Sequence, residues 1–424
     1  MSKRIPVFLL FLIVTLLTAC SFSVDEFLVA PLLTSDQREI LAAVQEANAE
    51  RIMLKYPVFG DWRAPIRFFD SGGHRGGKAV VFYSVAPEIN ARIAVLVRQD
   101  GEWTILGEQQ GDGPEVNSAQ LLPGHDTNIL IEWGSANPGN KRFAVYNFAG
   151  QELITGFREE CSDILMQDFT EDGIPEFCYV TAVSPDENFW LKYAADDGRG
   201  YAIESQIELH PEMVALLSLQ TRKNINGRQL VYVDQSIEGS VCATEIFLLE
   251  NGELSLLEVE KEFDVFRLSM RRSELICRSF SETDTGTVMI PSQTAPRETI
   301  ADEALWHYWY FIRDGSLNYG FASFVNIPLG LNVGIPENWL EQIVVEEDEE
   351  EQRLFRFMDY ETGEILLEIK VLRVEEDHQP YEDDGFKGIQ RSSGGVYRYL
   401  YRAGEGCSIR DEMHIVDNFF GITN

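Results

Sequence analysis

The sequence predicts a mainly β chain: a propeller-like domain of about five four-stranded blades followed by a smaller α+β domain. Three observations carry this. Short strand-like apolar runs follow one another from Pro65 onward. Turn glycines recur at Gly101, Gly150, Gly198 and Gly252, about 50 residues apart. After Tyr319 the texture changes to longer alternating strands. With 424 residues, 45% apolar and 25% charged, the chain has material for more than one folded core. Its 69 Asp and Glu residues outweigh 35 Lys and Arg, and a formal charge of −34 opposes binding to nucleic acid or to bare anionic lipid.

At the N-terminus, Lys3 and Arg4 precede an apolar run over residues 7–17 that is too short to span a bilayer, the layout of an export signal. The run ends in Leu17-Thr18-Ala19-Cys20, which resembles the lipobox of bacterial lipoproteins. That resemblance implies cleavage before Cys20 and acylation of its sulfur, with palmitate-type chains holding the protein to the extracytoplasmic side of a bacterial membrane in the cell envelope. Residues 1–19 are then the signal peptide, and 20–55 the anchor, a tether and a short helix. The helix opens at Thr34, where T-x-x-Q with Gln37 forms a capping box, and Ile40, Leu41, Val44 and Ala47 share one face.

Residues 56–315 hold the repeat. A strand at 93–97 runs through Asp100-Gly101 into another at 103–106. The layout returns at 143–146 with Ala149-Gly150, at 189–193 with Asp197-Gly198, and at 245–249 with Asn251-Gly252. Glycine second in each turn allows the positive φ that tight hairpins need. One further strand precedes each hairpin, at 80–83, 129–131, 177–180 and 230–233, behind a looser apolar segment, so each repeat has four strands. A fifth repeat, 265–312, is poorer in turn signals and is read with a loop over 292–296. The domain boundary is placed at 315/316, with Asp314-Gly315-Ser316 as its weak point. Residues 316–424 form the α+β domain. Strands at 343–345, 354–357 and 365–371 make an antiparallel meander, and 410–420 closes it as a helix. The acidic run 346–351 sits at the first hairpin tip of that meander, where a solvated turn explains it.

Asp168-Phe169-Thr170-Glu171-Asp172-Gly173-Ile174-Pro175-Glu176 places oxygen side chains at loop positions 1, 3, 5 and 9, with glycine after the third. A hard cation takes such a cage. The loop departs from an EF-hand, because Tyr179 stands at position 12 and a strand follows. With its place before a second strand and the repeat spacing, it resembles the FG-GAP or VCBS class of propeller repeat. The resemblance implies Asp168, Thr170, Asp172 and Glu176 as ligands of one structural calcium ion, Thr170 standing where the family often has Asp or Asn. The equivalent stretch of the first repeat, 70–78, keeps only the leading Asp70. Gly72 to Lys78 there has the spacing G-x-x-x-x-G-K, but Ala79 replaces the hydroxyl of a phosphate loop and a strand follows instead of a helix, so it does not cradle phosphate.

No G-x-S-x-G or H-E-x-x-H occurs, and the six histidines lack metal-ligand spacing, so no catalytic residue is assigned. The chain reads as a non-enzymatic binding or scaffolding module of the envelope, with a protein or glycan partner. An envelope-polymer enzyme and an accessory subunit of a membrane complex are the alternatives. Cys161, Cys178, Cys242, Cys277 and Cys407 are odd in number and lack C-x-x-C spacing, which reads as core residues, with a Cys161–Cys178 disulfide left open. The aromatic run 306–311 reads as a strand buried between two layers, or as a sugar-stacking platform.

Overall fold

The computed structural model describes residues 33–69, 77–123, 128–135, 140–148, 152–181, 188–198, 200–224, 226–238, 241–259, 264–272, 274–278, 288–294, 304–313, 315–340, 342–348, 353–374, 385–389, 396–417 and 419–421. The export signal, Cys20, Asp70 and the Ala149-Gly150 turn lie outside them.

Helix α1 (Ser35–Ala47) begins at the expected capping box. Thr34 Oγ1 accepts from the Gln37 N–H at 3.3 Å, and Gln37 Oε1 accepts from the Thr34 N–H at 3.0 Å. The first sheet holds β1 (Ile52–Leu54), β2 (Ile66–Phe69), β3 (Lys78–Val85), β4 (Arg92–Gln99) and β5 (Glu102–Gln110). Both β1 and β2 pair with β3, over different halves of it. Residues 52–54, expected in the tether and helix segment, are therefore a strand, because Ile52 completes the layer opposite Val85.

Three more sheets each place four strands side by side in chain order. They are β6 (Val116–Leu121), β7 (Asn128–Trp133), β8 (Lys141–Asn147) and β9 (Ile154–Cys161); β10 (Asp163–Gln167), β11 (Glu176–Thr181), β12 (Trp190–Asp196) and β13 (Tyr201–Glu208); and β14 (Met213–Lys223), β15 (Gln229–Ile237), β16 (Val241–Glu250) and β17 (Glu253–Leu256). The runs expected ahead of each hairpin are β3, β7, β11 and β15. Strand β11 is buried at every residue, which fits the apolar run over residues 177–180 at its centre. Two hairpins close as expected on primed turns: Asp100 and Gly101 at φ 51° and 94°, and Asn251 and Gly252 at 52° and 80°.

Helix α2 (Val265–Leu268) leads to a fifth sheet of β18 (Met289–Thr294), β19 (Ala304–Arg313), β20 (Ser316–Asn326) and β21 (Leu331–Ile335). Two expectations are corrected here. Residues 292–294, read as loop, belong to β18, an edge strand that tolerates Pro291 because an N–H there can face outward. The boundary expected at 315/316 falls in the turn of the β19–β20 hairpin, where Arg313 pairs with Ser316. The texture change at Tyr319 comes from a bulge: Tyr310 opposes Tyr319 while Trp309 opposes Phe321, so Gly320 is the extra residue.

The last sheet has the order β22-β23-β24-β26-β25, from β22 (Ile343–Glu347), β23 (Leu354–Asp359), β24 (Ile365–Arg373), β25 (Lys387–Ile389) and β26 (Tyr397–Ala403). Its first three strands form the expected meander. Asp348 of the acidic run ion-pairs with Arg356 at 2.5 Å. Helix α3 spans Ile409–Asp417, shorter than expected, and β27 (Phe420–Gly421) returns to pair with β21.

The chain divides into two compact units, residues 1–120 with 148–154 and residues 121–147 with 155–424. In the first, Ile40 and Val44 pack with Val81, Tyr83, Leu96 and Trp103. In the second, successive sheets share apolar layers. Phe143, Phe177 and Tyr179 lie in one layer, and Val180, Val231 and Phe247 in the next. The layer at the C-terminal end joins Phe324 and Val333 of the fifth sheet to Phe355, Phe357 and Ile369 of the sixth. Trp306 joins this last layer and Trp309 a separate one with Phe321, so the aromatic run is a strand between two layers and its tryptophans offer no sugar platform. The five described cysteines are free, and four are buried. Cys161 and Cys178 lie in different layers, which excludes the disulfide left open above.

Candidate metal site

The loop from Asp168 to Pro175 joins β10 to β11, and the register pair Gln167–Glu176 closes it. Gly173 at φ 89° and Glu171 at φ 63° turn the chain back on itself. Phe169 reaches inward and packs 6.1 Å from the Tyr193 ring, which pins one side of the loop to the core. The Tyr201 hydroxyl donates to the Pro175 carbonyl at 2.8 Å and pins the other.

This folding draws three carboxylates together. Asp168, Asp172 and Glu176 each offer an oxygen within 4.8 Å of the others. Glu176 is 3% exposed. Its Oε2 accepts from the Phe169 N–H at 2.6 Å and its Oε1 from the Thr170 hydroxyl at 2.5 Å. Asp168 accepts from the N–H groups of Asp172 and Gly173, at 3.1 and 2.9 Å. Asp172 Oδ1 accepts from Ile174 N–H at 2.8 Å, and its Oδ2 takes no hydrogen bond among the described residues. Each carboxylate oxygen has two lone pairs, so acceptor capacity remains on all three groups.

The electrostatics are unbalanced. Asp168, Asp172 and Glu176 make no ion pair among the described residues; the nearby Lys223 pairs instead with Glu171. A pair of like charges at 4 Å costs about 1 kcal/mol in water and about 4 kcal/mol near a protein surface. The field reaches the neighbouring phenols. Burial pushes Tyr193 and Tyr201 above the ordinary tyrosine range, and the Glu176 and Asp172 carboxylates push both further the same way. The donor set is all oxygen, which suits calcium and disfavours zinc or copper. All four residues assigned from the sequence therefore sit in one corner, three as convergent carboxylates and Thr170 through its bond to Glu176.

Two features had no sequence signal. Asp234 and Arg271 form a fully buried ion pair at 3.0 Å, with Thr244 Oγ1 donating to Asp234 and Arg271 donating to the Leu275 carbonyl. The other is a cavity beside β16 that contains Glu245 and His210. Their partners are 35 and 37 residues apart in the chain, beyond the reach of any local pattern.

No family model and no curated protein matches the chain. Among solved structures it is similar to a chain assigned as an exo-β-1,3-galactanase from Bifidobacterium bifidum s17, at 14% identity and a TM-score of 0.24, covering 65% of this chain and 97% of that one. It is also similar to rhamnogalacturonan lyase PL11 from Bacillus licheniformis, at 10% identity and 0.32, covering 84% and 77%. A hypothetical protein from Leishmania major gives 12% identity and 0.20, covering 64% and 89%. Likeness at this level carries no argument about activity.

Proposed function

We propose that the chain is a lipid-anchored protein of the bacterial cell envelope that acts as a non-enzymatic binding or scaffolding module, with propeller-like sheet repeats. Cys20 carries the anchor, and Asp168, Thr170, Asp172 and Glu176 hold one structural calcium ion. The observation that carries the reading is a constant frame with variable corners. Three sheets repeat the same four-strand antiparallel order, and the connections into their second strands differ in sequence and charge. Binding modules keep a rigid scaffold and vary the loops on it. The layers shared by successive sheets are what blades of a propeller would bury.

Two experiments test this. A fatty-acid probe should label the wild-type chain in a bacterial host and leave Cys20→Ala unlabelled; equal labelling of both would remove the anchor. Gentle crosslinking on intact envelopes should then recover a discrete protein or glycan with the wild type. Recovery of nothing beyond bulk lipid would remove the scaffolding role.

A further inference from the structure

A cavity of about 780 Å³ lies beside β16 and α2. Half of its lining residues are apolar, among them Leu256 and Met270, which are 53% and 39% exposed, and the buried Val259. Its polar groups are lopsided. Glu212, Glu245, Glu258 and Asp264 line it against one cation, Arg267, which is already paired with Asp264 at 3.3 Å.

Glu245 is the built element. It stands on β16 between Thr244 and Ile246, both buried. Its Oε2 accepts from the His210 N–H at 3.0 Å and from Gln235 Nε2 at 2.7 Å, while Oε1 takes no hydrogen bond among the described residues. The His210 ring stacks on Phe266 with centroids 4.0 Å apart and planes 13° apart, which fixes the wall next to that carboxylate. Gln235 is itself fully buried, so the carboxylate is oriented from behind. Burial pushes the Glu245 carboxyl above its usual range, and the bonds from His210 and Gln235 hold it back. A half-buried carboxylate with one oxygen unspent, in a pocket that pairs apolar side chains with surplus negative charge, is matched by a cation on a short carbon chain.

We propose that this cavity binds an alkylammonium group, with Glu245 as its counter-ion and the apolar side chains around its carbon chain. The assignment deepens the binding-module reading by supplying a ligand class. The ammonium has two sources, a free diamine or the lysine side chain of a peptide, and one experiment separates them.

Calorimetric titration of the full chain in detergent at pH 8 would compare pentane-1,5-diamine, an acetylated and amidated lysine, pentane-1,5-diol and glutarate. The amines should bind at least tenfold more tightly than the diol or glutarate, the tighter of the two naming the source. Glu245→Gln, which keeps shape and the bonds from behind, should lose at least tenfold in amine affinity. The inference is overturned if neither amine binds, if the diol binds as well as the amines, or if a folded Glu245→Gln variant binds them unchanged. The wild-type selectivity stands as a test even where the variant fails to fold. Absent amine selectivity with the envelope crosslinks retained would remove this cavity's assignment and leave the module reading in place.

Discussion

The loop before β11 and the loop before β15 occupy the same place in successive sheets but differ in length and in charge. Each is closed by a register pair, Gln167–Glu176 in one and Lys223–Gln229 in the other. Each sets a buried polar residue at the head of the second strand, Glu176 or Gln229. In the later loop a single amide suffices. Asn224 Oδ1 accepts from the N–H groups of Asn226 and Arg228 at 3.0 and 2.9 Å, and Gly227 turns at φ 76°. The shorter turn thus needs no carboxylate, whereas the longer one draws three together. The same two sheets differ further along the second strand. The sixth residue of β11 is Thr181, whereas the sixth of β15 is Asp234, whose charge the chain answers itself with Arg271. One sheet has its negative charge neutralised from within; the other gathers three carboxylates that make no ion pair among the described residues.

The largest effect should come from breaking the internal pairing. Arg271→Met leaves Asp234 buried and unpaired and should cost about 3–5 kcal/mol in denaturant unfolding. Adding Asp234→Asn should recover much of that loss. A single-variant cost below about 1 kcal/mol would mean that Asp234 is not held as an ion, and this half of the comparison would fail.

Supplying the external cation should have the next largest effect. Binding to the native state alone contributes RT ln(1 + [L]/Kd), so millimolar calcium over a Kd near 0.1 mM is worth on the order of 1.4 kcal/mol. Differential scanning calorimetry should show a rise in Tm of roughly 1–3 °C, and Asp172→Ala should abolish it. A calcium-independent melting curve would reduce the loop to a turn of the Asn224 kind.

The smallest effect sharpens the comparison most. In chelator, Asp172→Asn removes one like charge while keeping the acceptor for Ile174, and should stabilise the fold by about 1 kcal/mol or less. Destabilisation instead would show that the carboxylates are structural caps, with no surplus charge to balance.

The strands of the repeats were legible because their second strands are buried on both faces, which leaves unbroken apolar runs such as Phe177-Cys178-Tyr179-Val180, and because Asp-Gly and Asn-Gly admit few backbone shapes. The oxygen spacing of Asp168 to Glu176 was legible for the same reason, since one short loop contains the whole set. The turn at Gly315-Ser316 was misread as a domain boundary because a hairpin turn inside one sheet uses the same small, polar residues as a linker between domains. The Asp234–Arg271 pair and the Glu245 cavity had no signal at all. Each depends on chain segments that only the packed layers bring together.

Strand β27 has a consequence for how the C-terminal sheet is carried. The chain leaves the fifth sheet after Ile335 and re-enters it at Phe420, opposite Asn332. Exit and return are three residues apart along β21, or about 10 Å. In connectivity, everything from Pro336 to Phe419 is an excursion from one sheet edge. The entropy of closing such an excursion grows only with the logarithm of its length, about 0.6 kcal/mol per doubling, so its size is nearly irrelevant to that cost. What ties it down is the layer it shares with Phe324, Leu331 and Val333. Shortening its peripheral loops should be tolerated, whereas deleting it whole would strip the face of its host and leave an apolar sheet open to water.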